Sequence, residues 1–422
     1  MYNNAYAELN ITKAAYETIA AIEKELSDAF SAIEENESIN EAKVLAAFHR
    51  NKVAAHYFNP TTGYGYDDLG RDNLDKVFAD IFGTEAAVVS PQIVSGTHAI
   101  FAVLNGILRN GDCMLSLSGR PYDTLVDAIG INSNPECSLR EKGVSYEQID
   151  LKPDGSFDSD EIVKKVSELK PRVAYVQRSR GYAWRDAILP KNMEPIFSIV
   201  KQLSPGTVIV VDNCYGEFTG IYEPCDFGAD VIVGSLIKNP GGGLAPTGGY
   251  FAGTRKCVDR IASSLTVPGI GRECGSYFGS YLPYYQGIFN APHVVAQSLK
   301  TSVLFAKLFE RLNLPTMPSS SAERSDIVQA LRFKTKEELI KFCECIQAVS
   351  PVDGHVVPEP WAMPGYNDEV IMAAGTFIQG ASIELSADAP IHEPYTGYIQ
   401  GSLSYAHGRI AAMRVLSMLN EK

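Results

Sequence analysis

Short apolar strands alternate with longer helical segments between about residue 86 and residue 252. Runs such as TVIVV at 207–211 and VIV at 231–233 have the length and the β-branched composition of strands rather than helices. Strands that are apolar along their whole length are typical of a parallel sheet buried on both faces. The alternation therefore predicts a doubly wound α/β domain, whose ligand would bind at the carboxyl ends of the strands.

Two charged residues lie at such strand ends. Asp212 directly follows the strand at 207–211, and Lys238 comes three residues after Ser235, just before a Gly-rich turn. A carboxylate at the end of an apolar strand is costly to bury unless it meets a cation. A partly desolvated lysine can supply a neutral amine to a carbonyl compound. The pair predicts pyridoxal 5'-phosphate (PLP) as cofactor, with Lys238 forming the Schiff base and Asp212 keeping the pyridine nitrogen protonated.

A phosphate-binding site is predicted at the start of the apolar helix 99–108. Ser95, Gly96 and Thr97 precede this helix, and the backbone N–H groups and macrodipole of a helix N-terminus favour an anion. The same residues would also suit an ordinary helix cap. Because PLP needs a site for its phosphate, we expect these three residues to bind it, with Ser235 reaching over from the lysine strand.

Six stretches carry a family resemblance that extends from about residue 57 to about residue 401. They are GYGYDDLGRD, VSGTHAI, SGRPYDTL, VDNCYGEF, SLIKNPGGGLAPTGGY and QGASIELSADAPIHEPYTGYIQG. They resemble the PLP enzymes of fold type I, in particular the cystathionine lyase and methionine gamma-lyase group and its aluminium-resistance branch. The resemblance implies a large α/β domain with a mainly parallel sheet and a smaller C-terminal α+β domain. We divide the chain into an N-terminal helical arm at 1–56, a PLP-binding domain at 57–290 and a small domain at 291–422.

The resemblance also implies roles for several aromatic and basic residues. Tyr122, in a Tyr-x-x-Thr segment, would stack on the cofactor ring and could transfer a proton, and His98 is the alternative stacking residue. In this group an early Tyr and Arg cross the dimer interface to the neighbour's phosphate. Tyr66 and Arg71 are the candidates here, although the group's Tyr-x-Arg spacing is absent. We therefore expect a homodimer or homotetramer with shared active sites.

Arginines are the candidates for binding the substrate carboxylate. Arg178 and Arg180 follow the apolar strand 173–176, and a guanidinium can hold a carboxylate with two parallel hydrogen bonds. A surface ion pair is the alternative for each of them. Arg409 is a third candidate, because the arginine that usually binds the carboxylate in this group is not obvious in the C-terminal part.

The resemblance implies elimination at the β or γ carbon of a sulfur amino acid such as cystathionine, cysteine or methionine, with Lys238 as general base and a thiol, ammonia and an oxo acid as products. A PLP-dependent transaminase or aldolase, or a non-catalytic PLP-binding regulatory protein, is the alternative. A dinucleotide-dependent oxidoreductase is disfavoured, because no G-x-G-x-x-G follows the first strand.

Composition narrows the partners to small molecules and further copies of the chain. The net charge of −13 argues against nucleic acid and against an anionic membrane surface. The eight cysteines are scattered without a CxxC pair, which argues against zinc and disulfides. No secretory signal or membrane-span pattern is evident, so we expect a cytoplasmic protein without a bound metal. Cys214 is not expected to be a nucleophile, because no histidine lies nearby in sequence to activate it.

Overall fold

The computed structural model describes residues 2–363 and 368–420, and these ranges contain twelve α-helices and thirteen β-strands. The helices are α1 (Asn4–Glu8), α2 (Lys13–Glu25), α3 (Ser27–Arg50), α4 (Leu69–Ile81), α5 (Gly96–Ile107), α6 (Asp123–Ile129), α7 (Ser159–Leu169), α8 (Pro190–Leu203), α9 (Arg255–Leu265), α10 (Leu282–Arg311), α11 (Lys336–Ala348) and α12 (Tyr405–Leu419). The strands are β1 (Ala86–Ser90), β2 (Cys113–Ser116), β3 (Ser145–Gln148), β4 (Val173–Gln177), β5 (Val208–Asp212), β6 (Val231–Ser235), β7 (Gly249–Gly253), β8 (Thr316–Met317), β9 (Gln329–Arg332), β10 (Trp361–Ala362), β11 (Glu369–Ala373), β12 (Ser386–Pro390) and β13 (Thr396–Gln400).

The larger sheet has the strand order β1-β7-β6-β5-β4-β2-β3, in which β7 runs antiparallel to both neighbours and the pairs from β6 to β3 are parallel. Within β5, Val208 and Val210 pack on one face of the sheet, and Ile209 and Val211 pack on the other. Because helices cover both faces, almost every strand residue has to be apolar. The predicted doubly wound α/β domain is confirmed.

The smaller sheet is antiparallel, with the order β10-β11-β12-β13-β9-β8. The sequence predicts a strand at 382–385, and this prediction is wrong, because the strand begins at Ser386. The Glu384 carboxylate accepts the backbone N–H groups of Phe377 (2.9 Å) and Ile378 (3.0 Å), which holds this segment as a turn. The shift places Asp388 inside β12.

The long helix α10 connects the two sheets, and it begins nine residues before the predicted start at residue 291. Pro292 lies buried inside the helix, and Pro283 occupies the first turn, where its missing N–H costs no helical hydrogen bond. The N-terminal helix α3 packs along α10, and α2 packs against α12. None of the described helices is both long enough and apolar enough to cross a bilayer.

Candidate active site

A cavity of about 210 Å³ lies at the carboxyl ends of β4, β5 and β6. The large domain contributes the N-terminal turns of α5 and α6 and the loops that follow these three strands. The opposite wall comes from residue 328 and from β12 and β13 of the smaller sheet. The cavity therefore occupies the edge of the parallel sheet at which a ligand is expected in a doubly wound domain.

Lys238 and Asp212 both line this cavity. Asp212 ends β5, opposite Val233 of the adjacent parallel strand β6, and Lys238 follows β6 by three residues. The Nζ atom of Lys238 lies 4.0 Å from the centre of the Tyr215 ring. Tyr215 has a φ of 71°, a conformation that is strained for a bulky residue and that often marks functional loops. The loop after β5 thus places an aromatic face against the lysine.

The protonation states of Lys238 and Asp212 depend on each other. Burial raises the pKa of the Asp212 carboxyl above its usual value, although the Lys238 ammonium and the Cys214 backbone N–H, 3.1 Å from Oδ1, act in the opposite direction. Burial also lowers the pKa of Lys238, but the acidic groups of Cys214, Tyr215, Asp212 and Glu217 around it raise the pKa above its usual value. Lys238 must therefore lose a proton before its amine can act as a nucleophile.

The predicted phosphate ligands converge at the start of α5. The Ser95 Oγ caps the helix by accepting the backbone N–H of His98 at 3.1 Å. Gly96 passes so close to β6 that a Cβ atom at this position would lie 3.2 Å from the Cβ of Ser235. The Ser235 hydroxyl is buried and has no hydrogen-bond partner among the described residues. A buried hydroxyl without a hydrogen-bond partner destabilises the folded protein, unless a ligand forms a hydrogen bond with it.

Tyr122 and Thr97 also line the cavity, whereas His98 does not. The backbone N–H of Tyr122 donates to Oε1 of Gln177 at 2.7 Å, which fixes the start of α6 against the end of β4. The Nδ1 atom of His98 accepts the backbone N–H of Val94 at 3.2 Å. This bond turns the imidazole toward the loop before α5, so the structure favours Tyr122 over His98 as the residue beside a cofactor ring.

Tyr66 and Arg71 lie outside the cavity of their own chain. The Tyr66 side chain is exposed and its ring stacks on Tyr64, with the ring centres 5.5 Å apart. Arg71 is buried, and its guanidinium donates to the Asp72 carboxylate (2.8 Å) and to the Gly65 carbonyl (2.9 Å). Their role in a neighbouring subunit's site stays a prediction.

The three arginines that sequence analysis proposed for the substrate carboxylate do not line the cavity. Arg409 donates from Nε to Glu23 at 2.7 Å and so joins α12 to α2. Arg180 is fully buried and donates from Nη1 to the Met317 carbonyl at 2.7 Å. Arg409 thus connects distant segments of the chain instead of facing the site, whereas the buried Nε and Nη2 atoms of Arg180 have no hydrogen-bond partner among the described residues.

Arg178 is the residue whose contacts differ most clearly from its predicted role. Its side chain is 1% exposed, and its three nitrogens are all engaged by protein groups. Nε donates to Ser325 (2.9 Å), Nη1 to Asn213 (2.7 Å) and to Glu223 (3.2 Å), and Nη2 to Thr219 (3.1 Å). Four of its five N–H donors are thus used within the protein, and the residue ties the loop after β5 to the segment before β9 instead of lining the cavity.

We expect Arg178→Met to lower the free energy of unfolding by about 3–5 kcal/mol, because it leaves the Glu223 carboxylate buried without its cation. Urea unfolding followed by tryptophan fluorescence measures the change. Arg50→Met is the matched control, since Arg50 also pairs with a carboxylate, that of Asp80 at 2.6 Å, but at an exposed position, and we expect a much smaller loss there. Equal losses in both variants would contradict this account.

Sequence analysis missed several residues of the cavity wall. Asp388, Tyr398 and Gln400 reach it from β12 and β13, and Tyr182 reaches it from the loop after β4. Glu217 is fully buried behind Lys238, and burial raises the pKa of its carboxyl to about 8. The signal for Glu217 was its place in the VDNCYGEF stretch. The signal for Asp388 was a single acid between two alanines. It was overlooked because the strand was predicted at 382–385, which leaves Asp388 outside it.

Comparison with known proteins identifies the family of this chain. Residues 15–420 match the family described as Methionine gamma-lyase. The chain is 46% identical over 406 residues to the uncharacterized protein YnbB of Bacillus subtilis (strain 168), covering 96% of each chain. It superposes with a TM-score of 0.95 on a carbon-sulfur lyase involved in aluminium resistance from Clostridium novyi NT, at 45% identity and with 99% and 98% of the two chains covered.

The fold extends to more distant proteins. The pyridoxal-5'-phosphate dependent protein YhfS from Escherichia coli superposes with a TM-score of 0.62 at 18% identity, and the match covers 92% of this chain and 97% of that one. At this identity the likeness concerns the fold alone, which is the fold type I architecture predicted from the sequence. The family match spans nearly the whole chain, and the chain therefore belongs to the methionine gamma-lyase family.

Proposed function

We propose that the protein is a PLP-dependent carbon–sulfur lyase that eliminates the sulfur substituent at the β or γ carbon of a sulfur-containing amino acid of the cystathionine, cysteine or methionine type. The observation that carries the proposal is the meeting of Lys238, Asp212 and the unpartnered Ser235 hydroxyl in one cavity. The family membership and the carbon–sulfur lyase from Clostridium novyi NT support the reaction class.

The residues present fit this cofactor. The Ser235 hydroxyl lacks a partner, and it adjoins the N-terminus of α5, where the glycine at position 96 leaves room that a Cβ would fill. Ser95, Gly96, Thr97 and Ser235 would bind the phosphate, since helix N-termini and hydroxyls favour an anion. Asp212 would bind the pyridine nitrogen, and Lys238 would anchor the cofactor covalently. When bound, PLP would supply an electron sink for the negative charge that forms at the substrate α-carbon.

The chain's own residues would supply the proton transfers. Lys238 would remove the α-proton as general base once its amine is free. Tyr215 lies under the Nζ atom and would restrict the direction from which the amine approaches. Tyr122 would cover one face of the cofactor ring and exclude water from it. Asp212, buried and hydrogen-bonded to the Cys214 N–H, would keep its charge in a fixed position.

We also propose that the active form is a homodimer or homotetramer. The Tyr66 side chain is exposed together with Tyr64, Val94 and Phe278. Exposed aromatic and aliphatic side chains of this size are typical of surfaces that bind another protein. In such an assembly Tyr66 would reach a neighbour's cavity, whereas Arg71 would have to exchange its present hydrogen bonds to do so.

The experiment that tests the function combines spectroscopy with a substrate panel. The purified protein is expected to show a visible absorption band of bound cofactor, which borohydride removes. Mass spectrometry of the proteolytic peptides should then find the reduced cofactor on the peptide that contains Lys238. Cystathionine, cysteine and methionine are supplied in turn, and thiol, ammonia and oxo acid are measured.

Each other outcome assigns a different function. Amino-group transfer that requires an added oxo acid would make the protein a transaminase, and cleavage of β-hydroxy amino acids would make it an aldolase. A cofactor band without exchange of any amino acid's α-proton with deuterated water would indicate a non-catalytic PLP-binding protein. A protein that takes up no cofactor even after PLP is added would contradict the proposal altogether.

A further inference from the structure

A carboxylate that the proposed reaction does not require faces the cavity from the smaller sheet. Asp388 lies in the middle of β12, paired with Met372 of β11 and with Tyr398 of β13. Its side chain lines the cavity together with Lys238 and Asp212. Lys238 and Asp212 come from the larger sheet, so Asp388 contributes an acid to the opposite wall of the cavity.

The partners of this carboxylate are neutral. The Tyr182 hydroxyl donates to Oδ2 of Asp388 at 3.0 Å, and a hydrogen bond from the Gln400 side chain also stabilises the ionised form. The Lys238 ammonium acts in the same direction, and its effect is smaller than those of the two hydrogen bonds. Burial raises the pKa of Asp388 to about 6, so the group is mostly ionised at neutral pH.

A buried carboxylate is normally paired with a cation. Asp388 forms no such pair in the part of the chain that the structure describes, and the Lys238 amine, which acts on it weakly, would be committed to the cofactor. The described residues that line the cavity include no arginine, so the wall offers no cationic group for a distal carboxylate. The charge balance of this wall therefore favours a substrate that brings its own positive charge.

Two aromatic rings beside the carboxylate suit the same ligand. The rings of Tyr182 and Tyr398 are 4.9 Å apart, and the Tyr398 hydroxyl donates to the Tyr182 carbonyl, which fixes both rings. Both tyrosines line the cavity. Aromatic faces attract ammonium groups, most strongly where water is excluded.

We propose that Asp388, with the faces of Tyr182 and Tyr398, binds an ammonium group in the sulfur substituent of the substrate, so that the protein selects S-substituted amino acids whose substituent is cationic. This inference rests on the proposed function, since it names the substrate class of the same site. Asp388 is a specificity-determining residue in this account and takes no part in bond breaking.

The test compares two compounds of equal length, S-(2-aminoethyl)cysteine and S-propylcysteine, which differ by an ammonium in place of a methyl group. The holoenzyme is titrated with each by calorimetry, and kcat/KM for thiol release is measured separately. We expect the wild type to prefer the aminoethyl compound by about 10- to 100-fold, the range of one charge-assisted hydrogen bond. Asp388→Asn should reduce the preference to about 3-fold or less, while binding of S-propylcysteine stays unchanged. Asp388→Glu should retain most of the preference.

The outcomes separate this inference from the proposed function. Preferential binding of the aminoethyl compound without thiol release would support the ammonium site and contradict the lyase proposal. Thiol release from both compounds at equal kcat/KM would support the lyase and overturn the ammonium site. Equal losses for both compounds in Asp388→Asn would show a merely structural role for Asp388. If the wild type binds neither compound, the ammonium site is overturned, and the lyase proposal is decided by the panel of cystathionine, cysteine and methionine.

Discussion

Lys238→Ala is expected to remove the visible absorption of the bound cofactor and to lower kcat/KM for elimination by at least about 1,000-fold. The general base alone contributes about 10²- to 10⁴-fold, and the covalent anchor is lost with it. The fold should tolerate the change, because Lys238 lines the cavity and because Asp212, whose carboxyl pKa burial already raises, can bind a proton once the ammonium group is gone. Absorption spectra and initial rates measured at saturating PLP check the prediction.

Lys300→Ala is the matched control for this variant. Lys300 is also largely buried and forms a close ion pair, 2.6 Å from Glu34, but it lies on α10 and outside the cavity. We expect its spectrum and kcat to match those of the wild type even if its thermal stability falls. A Lys238→Ala protein that keeps both the band and the activity would rule out this lysine as the anchor.

The site residues at strand ends and at the start of α5 could be predicted from the sequence, because their positions depend only on neighbouring residues of the chain. Parallel strands all end at the carboxyl edge of the sheet, so the residue that follows a buried parallel strand lies at that edge. This reasoning placed Asp212, Lys238 and Ser235 at the edge where the structure has them. The N-terminus of α5 was predictable for the same reason, since Ser95 precedes an apolar helix and caps it.

The distribution of the arginines could not be predicted, because their partners come from distant parts of the chain. Arg178 follows β4 as expected, but Ser325, which it contacts, is 147 residues away in sequence. A strand end beside a cavity therefore does not decide whether a long side chain turns into the cavity or away from it. That choice depends on which acids and carbonyls the tertiary structure brings within reach.

The wall formed by the smaller sheet was missed for a different reason. Side chains alternate between the two faces of a strand, so the assignment of a residue to the cavity requires the correct strand bounds and register. The predicted strand at 382–385 left Asp388 outside the strand, whereas the actual strand places it at the centre of β12. The turn held by Glu384 decides these bounds, and its hydrogen bonds to residues 377 and 378 are not visible in the hydrophobic pattern.

Asp212→Asn is expected to keep the cofactor attached but to lower kcat by about 10²- to 10³-fold, the effect of removing one fixed charge from a water-excluded site. The amide can still accept the Cys214 N–H, which is 3.1 Å from Oδ1, so the local geometry is preserved. Burial raises the pKa of the Asp212 carboxyl, which means that keeping this carboxylate ionised costs free energy of folding. The neutral amide avoids that cost, and the unfolding midpoint measured without cofactor should therefore not fall.

Tyr175→Phe is the control that separates charge from hydrogen bonding at the same position. The Tyr175 hydroxyl lies 3.4 Å from Oδ2 of Asp212 on the neighbouring strand, and its removal leaves the carboxylate in place. We expect kcat to change by about 10-fold or less, because a hydrogen bond of 3.4 Å is long and weak even when its acceptor is charged. If Tyr175→Phe and Asp212→Asn lower kcat equally, the hydrogen-bond network would matter and the charge would not. If Asp212→Asn retains full activity, the residue does not bind the pyridine nitrogen, and the carboxylate at the end of β5 would need another explanation.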